Sequence, residues 1–133
     1  MFINEHNNET ILLGGDFNTI LNIEEKFGGL QQISQATKDF KYWIGRNNLT
    51  DILVNNGKYT WNNKRKDFSY IAEKLDRFFI KEVLSDFNFN IQSSILPILG
   101  SDHYPVRIVL FEPNNLLEII LNVKKCGFET KTL

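Results

Sequence analysis

Leu75-Asp76-Arg77-Phe78-Phe79-Ile80 decides the fold, because a carboxylate and a guanidinium interrupt a run whose remaining residues have the apolar, aromatic character of a strand. Alternation along an extended chain sets Leu75, Arg77 and Phe79 on one face and Asp76 and Phe78 on the other. If the second face is the buried one, Asp76 needs a donor, since an unpaired buried charge costs several kcal/mol. The fitting donor is His103, in Gly100-Ser101-Asp102-His103-Tyr104-Pro105, at the entrance to the alternating run Val106 to Phe111. The plainer alternative pairs Asp76 with Lys74 or Arg77 at the surface, where an ion pair is worth little.

Working outward, Ile11-Leu12-Leu13 reads as a short buried strand stopped by Gly14-Gly15, which leaves Asp16 and Asn18 at its carboxyl end. Between Ser34 and Asn47 the residues Ala36, Phe40, Trp43, Ile44 and Asn47 recur at helical spacing, with Ser34 as N-cap; this predicts one amphipathic helix. Tyr59-Thr60-Trp61 is β-prone after the turn Asn55-Asn56-Gly57, Lys81 to Phe87 suits a short helix, and Ile91 to Leu99 suits a strand. After Glu112-Pro113 the composition changes. Leu116, Leu117, Ile120 and Leu121 there suggest a helix-like segment leading into a polar, fraying end. The pattern predicts an α/β (α+β) domain over 11–111, with a polar leader at 1–10 and a divergent tail at 112–133.

With 42% apolar and 13% aromatic residues in 133, the chain has ample material for one packed core. A net charge of -1 gives no bulk field for nucleic acid, so any such contact has to come from a local patch. The single cysteine, Cys126, excludes an internal disulfide framework. One cysteine and two distant histidines also make no structural zinc site. Without a basic region leading into an apolar core at the N-terminus, and with Leu116 to Leu121 too short to span a bilayer, the expectation is an intracellular protein of nucleus or cytoplasm with no membrane partner.

Taken alone, Asp16 and Asn18 are ordinary turn residues, and Lys64-Arg65-Lys66 is an ordinary solvated loop. Together with Asp76, Asp102 and His103 they make a set suited to phosphoester hydrolysis: carboxylates for a hard cation, an amide for a phosphate oxygen, and a histidine for developing charge. The order Gly15-Asp16-Phe17-Asn18, Gly57-Lys58-Tyr59-Thr60-Trp61, Leu75-Asp76-Arg77-Phe78, Gly100-Ser101-Asp102-His103-Tyr104-Pro105 resembles the C-terminal half of the endonuclease/exonuclease/phosphatase (DNase I-like) superfamily. It is most similar to the endonuclease domain of LINE-type non-LTR retrotransposons. The resemblance covers about residues 10 to 111.

It implies half of a four-layer α/β sandwich, one mixed sheet with the main helix on one face and an apolar opposite face left uncovered. It further implies a Mg²⁺-dependent reaction, with Mn²⁺ as a substitute, on DNA or another phosphoester. Asp16 would orient or deprotonate the attacking water and share the metal with Asp102; Asn18 would hold a phosphate oxygen. His103 would stabilise the phosphoryl transition state with Asp76 orienting its ring, and Trp61, Lys64, Arg65 and Ser101 would contact substrate. The family's main metal-binding glutamate belongs to an N-terminal half without a counterpart here, so weak catalysis is expected, with a missing half or a second copy as possible partner. The alternatives are a non-catalytic remnant or binding module, and a phosphatase acting on a small or lipid phosphoester.

Overall fold

In a computed structural model, which describes residues 11–81, 90–98, 100–112, 114–122 and 127–132, the strand around Phe78 is the centre of the architecture. In chain order the elements are β1 (Ile11–Asp16), a 3₁₀ turn at Ile23–Glu25, β2 (Lys26–Phe27), α1 (Gln35–Arg46), β3 (Thr50–Ile52), β4 (Trp61–Asn62) and β5 (Ala72–Glu73). They continue with β6 (Asp76–Lys81), β7 (Asn90–Ile95), β8 (Val106–Glu112), β9 (Asn115–Asn122) and β10 (Gly127–Thr132). The leader and the short helix expected up to Phe87 lie outside the described residues, apart from Lys81, which ends β6.

The content is α+β, but the single mixed sheet expected is replaced by three antiparallel sheets, ordered β1-β6-β3, β10-β9-β8-β7 and β2-β5-β4. The reason is topological: parallel neighbours need a crossover, usually a helix, and α1 joins β2 to β3, which belong to different sheets. β6 is flanked on both edges and buried on both faces, from Asp76 through Ile80. Burial on both faces is why its sequence reads as a nearly continuous apolar run rather than a clean alternation.

The face of β6 carrying Phe79 packs with Leu13, Leu21 and Leu49 against Phe40, Trp43 and Ile44 of α1. Ser34 caps that helix, its Oγ accepting from the Thr37 N–H at 3.1 Å, as expected. The apolar stripe differs at Ala36, which is exposed, while Thr37 is buried and hydrogen-bonded to Thr19 through their hydroxyls at 2.8 Å. The opposite face, carrying Phe78, is not left open. It packs against Val106, Ile108 and Leu121, with Ile91 and Ile119 alongside, so the covering sheet comes from within the chain. Each fully buried Phe contributes about 1.5–3 kcal/mol relative to exposure.

Two local expectations change accordingly. Residues 116–121 form β9 rather than a helix, paired along the whole of β8. A short apolar run fits either period, and the free edge of β8, with isoleucines suited to a pleated surface, selects the strand. Gly14-Gly15 likewise do not stop β1, which runs on to Asp16. Gly14 lies opposite Phe78, and a Cβ there would collide with that ring, so the glycine permits close approach of the two strands.

Candidate functional site

The β1–β6 register places Asp16 directly opposite Asp76, so two carboxylates share one end of the central pair. Phe17 anchors the turn that follows. Its N–H donates to the Leu75 carbonyl at 2.9 Å, and its ring stacks on Phe40 at 5.0 Å and meets Phe79 edge-on at 5.3 Å. With Phe17 held inward, Asn18 is exposed in the left-handed region at φ 54°, its N–H donating to Asp16 Oδ1 at 2.9 Å. Asparagine tolerates that backbone better than most residues, and the bond fixes the Asp16 carboxylate.

His103 arrives from the loop before β8. Gly100 turns the chain at φ 68°, the His103 N–H donates to Ser101 Oγ at 3.2 Å, and His103 forms an isolated antiparallel bridge with Trp61 at the edge of β4. Thr60 joins the two halves of the site: its Oγ1 accepts the N–H groups of Leu75 and Asp76, each at 3.0 Å, and its carbonyl accepts the Tyr104 N–H at 2.7 Å.

The imidazole then lies between the two carboxylates. His103 Nδ1 is 2.8 Å from Asp76 Oδ2, the pairing expected from the sequence, and Nε2 is 3.8 Å from Asp16 Oδ2, beyond hydrogen-bond reach. An ionised carboxylate only accepts, so beside ionised Asp76 the proton sits on Nδ1 and Nε2 is left for chemistry. Burial pushes the Asp76 carboxyl upward, against the His103 hydrogen bond and the nearby Thr60 hydroxyl, and the Asp16 charge adds to the rise. Asp76 Oδ1 is buried without a hydrogen-bond partner.

One donor atom each from Asp16, Asp76 and His103 lie within 4.8 Å of one another, an arrangement able to hold a metal ion. Two carboxylate oxygens with one imidazole, and an orphaned buried oxygen on one of the acids, are a donor set that suits a metal ion. The surface alternative for Asp76 does not occur. Lys74 and Arg77 pair with Asp51 at 3.4 and 2.9 Å, and Arg77 also pairs with Glu25 at 2.7 Å.

Asp102 stands outside this group. Its Oδ2 accepts from the Trp61 indole Nε1 at 3.1 Å, and that bond, helped by a backbone hydrogen bond and by the charges of His103 and Lys64, outweighs desolvation and holds the exposed carboxyl below its usual range. Lys64 and Arg65 are exposed on the loop between β4 and β5, as is Lys66. Sequence reasoning missed two residues. Thr60 carries no signal that separates it from any strand threonine. Phe68, fully exposed two residues after the basic run, was detectable as an aromatic in an otherwise polar turn. Asparagine side chains stiffen that loop, Asn63 donating to the Ser69 carbonyl at 2.8 Å and accepting the Ile71 N–H at 3.1 Å.

No family model, curated protein or solved structure matches the chain. Among the described residues no helix is long and apolar enough to cross a membrane.

Proposed function

We propose that the chain hydrolyses phosphodiester bonds in a divalent-cation-dependent reaction, with DNA as substrate. The observation that carries this reading is the imidazole of His103, fixed by Asp76 on one nitrogen and facing Asp16 with the other. A cation at these carboxylates supplies charge neutralisation at the phosphate. Asp16 orients the attacking water and takes its proton, Asn18 donates from its side chain to a phosphate oxygen, and His103, in its imidazolium form with Asp76 accepting from Nδ1, donates from Nε2 to the oxygen on which negative charge develops. The order of motifs in the sequence supports the same reading. DNA is favoured over a small phosphoester by the loop of Lys64, Arg65, Lys66 and Phe68, which offers cations to successive phosphates and a free aromatic face to a base.

Catalysis is expected to be slow at cellular Mg²⁺, because one of the two clustered carboxylates is already engaged by His103 and magnesium dehydrates reluctantly. Supercoiled plasmid assayed against increasing Mg²⁺ and Mn²⁺ tests the proposal. Nicking should rise with cation, more readily with Mn²⁺, and fall by about 10²-fold or more in Asp16→Asn and His103→Ala. Absence of nicking at saturating Mn²⁺ would overturn it. The second reading, a phosphate-binding module without catalysis, is favoured by one observation, the Trp61 hold on Asp102. It predicts DNA binding that survives in both variants.

A further inference from the structure

β7 ends the four-stranded sheet, so the backbone groups on its outer edge have no strand to pair with. Two asparagines of the segment between β3 and β4 stand in for one. The Asn55 N–H donates to the Ser93 carbonyl at 3.0 Å. The Asn56 side-chain amide meets Ile95 at both ends: Nδ2 donates to its carbonyl at 2.8 Å and Oδ1 accepts its N–H at 2.6 Å. A primary amide in this pose reproduces a rung of an antiparallel ladder and closes an edge otherwise open to another chain. Asn56 is nevertheless exposed, and Gly57 follows it in the one Asn-Gly step of the sequence. Asparagine before glycine is where a side-chain amide is lost most readily, because no side chain shields the following backbone nitrogen.

We propose that Asn56 is a modification site, a spontaneous deamidation that the two-point hold on Ile95 restrains and that proceeds once the β7 edge opens. The Gly57 nitrogen bonds to Asn56 Cγ, the Cγ–Nδ2 bond breaks, and ammonia leaves with the proton from the Gly57 nitrogen; water then opens the succinimide to aspartate or isoaspartate. Cγ has to swing back over its own main chain to meet that nitrogen, and it cannot while both polar atoms of the amide are planted on β7. Two hydrogen bonds of ordinary net strength therefore slow the step by about 10- to 100-fold relative to a free chain. The product does not close the edge again. A carboxylate still accepts the Ile95 N–H but sets its other oxygen against the Ile95 carbonyl, and isoaspartate also lengthens the main chain by a methylene. The change is one-way, and it falls on the segment leading to Thr60, which joins the two halves of the candidate site.

The experiment incubates the full chain in mildly alkaline buffer with and without urea, and reads the amide-to-acid mass gain at Asn56 by peptide mapping. Ile95→Pro removes the N–H that Oδ1 accepts, on an edge where proline is tolerated, and Gly57→Ala shields the attacking nitrogen. The expected result is deamidation at Asn56 in urea, about 10- to 100-fold slower in the folded chain, and restored towards the urea rate in folded Ile95→Pro. Gly57→Ala should slow the reaction in urea. Should Ile95→Pro fail to fold by circular dichroism, hydrogen exchange in the wild type replaces it, and the Ile95 N–H should be protected to a degree that accounts for the slowing at Asn56. Asn56→Asp should leave that N–H less protected than in wild type, with the β8 and β9 amides unchanged. A folded rate equal to the urea rate overturns the proposal, as does a folded Ile95→Pro no faster than wild type. So does an Ile95 N–H that exchanges freely while Asn56 stays slow, or that is as protected in Asn56→Asp as in wild type. An Asn56 that stays intact in urea removes the site altogether.

Discussion

Asp76 and Arg77 are neighbours on β6, each 1% exposed, and they face opposite sides of the same strand into different company. Arg77 is nearly saturated. Its terminal nitrogens donate to both Glu25 oxygens at 3.1 and 2.7 Å, to Asp51 at 2.9 Å and to the Lys74 carbonyl at 2.9 Å, leaving only Nε without a partner. Two bases and two acids balance there, and the group fastens the 3₁₀ turn and β3 to the central strand. Asp76 has one strong partner, His103, an opposing carboxylate at Asp16, and an oxygen with none. A buried charge surrounded by counter-charges reads as architecture. One held by a single titratable partner beside a second acid reads as a place where an ion or a substrate completes the arrangement.

The largest effect expected from this contrast is on stability at Arg77. Arg77→Ala strands Glu25 and Asp51 with only Lys74 between them, and should cost about 3–5 kcal/mol by urea unfolding. The companion change, Asp76→Asn, should cost less than about 1 kcal/mol or stabilise slightly, because it removes a buried charge whose ionisation burial opposes. Yet it should lower any cation-dependent nicking by about 10²-fold, since the ring of His103 loses its orienting charge. Equal stability losses for the two variants would erase the distinction between the faces.

Gly14→Ala comes next, at about 1–3 kcal/mol, because the added methyl meets the Phe78 ring across the β1–β6 pair. Gly15→Ala, where the added methyl meets open space, should cost much less. Thermal unfolding of the two variants side by side checks this.

The pH dependence sharpens the comparison further, because the two faces have opposite signs. Burial pulls Glu25 upward, but the hydrogen bond and charge of Arg77, the Leu21 N–H and the Lys74 charge together outweigh it, and its carboxyl lies below the ordinary 4.5. That stabilisation is complete above 4.5 and is lost as pH falls through the folded value. Asp76 lies above its ordinary 3.8, so its contribution is complete below 3.8 and is lost as pH rises through the folded value. Unfolding free energies measured between about pH 3 and 7 should therefore show a shallower acid loss in Glu25→Gln than in wild type. In Asp76→Asn the loss on the rising limb should disappear. A modest and purely local effect is expected at the helix cap, where Ser34→Ala should cost about 1 kcal/mol through the lost bond to the Thr37 N–H, read by thermal unfolding.

Sequence alone determined the elements whose pattern is local. The Ser34 cap and the Phe40, Trp43, Ile44 stripe specified α1, the alternation in residues 75–80 put Asp76 and Arg77 on opposite faces, and the need of a buried carboxylate for a donor selected His103. Tertiary structure decided what depends on partners distant in the chain. The edge of β8 made a strand of residues 116–121, which then helped cover the Phe78 face expected to lie bare. Phe78 set the need for Gly14, and the fold brought the indole of Trp61 to the Asp102 carboxylate. The physical reason is range: propensity, capping and alternation act over a few residues and can be read from a string. A hydrogen bond between positions 61 and 102, or the choice between helix and strand for a short apolar run, is settled only by whatever the fold brings alongside.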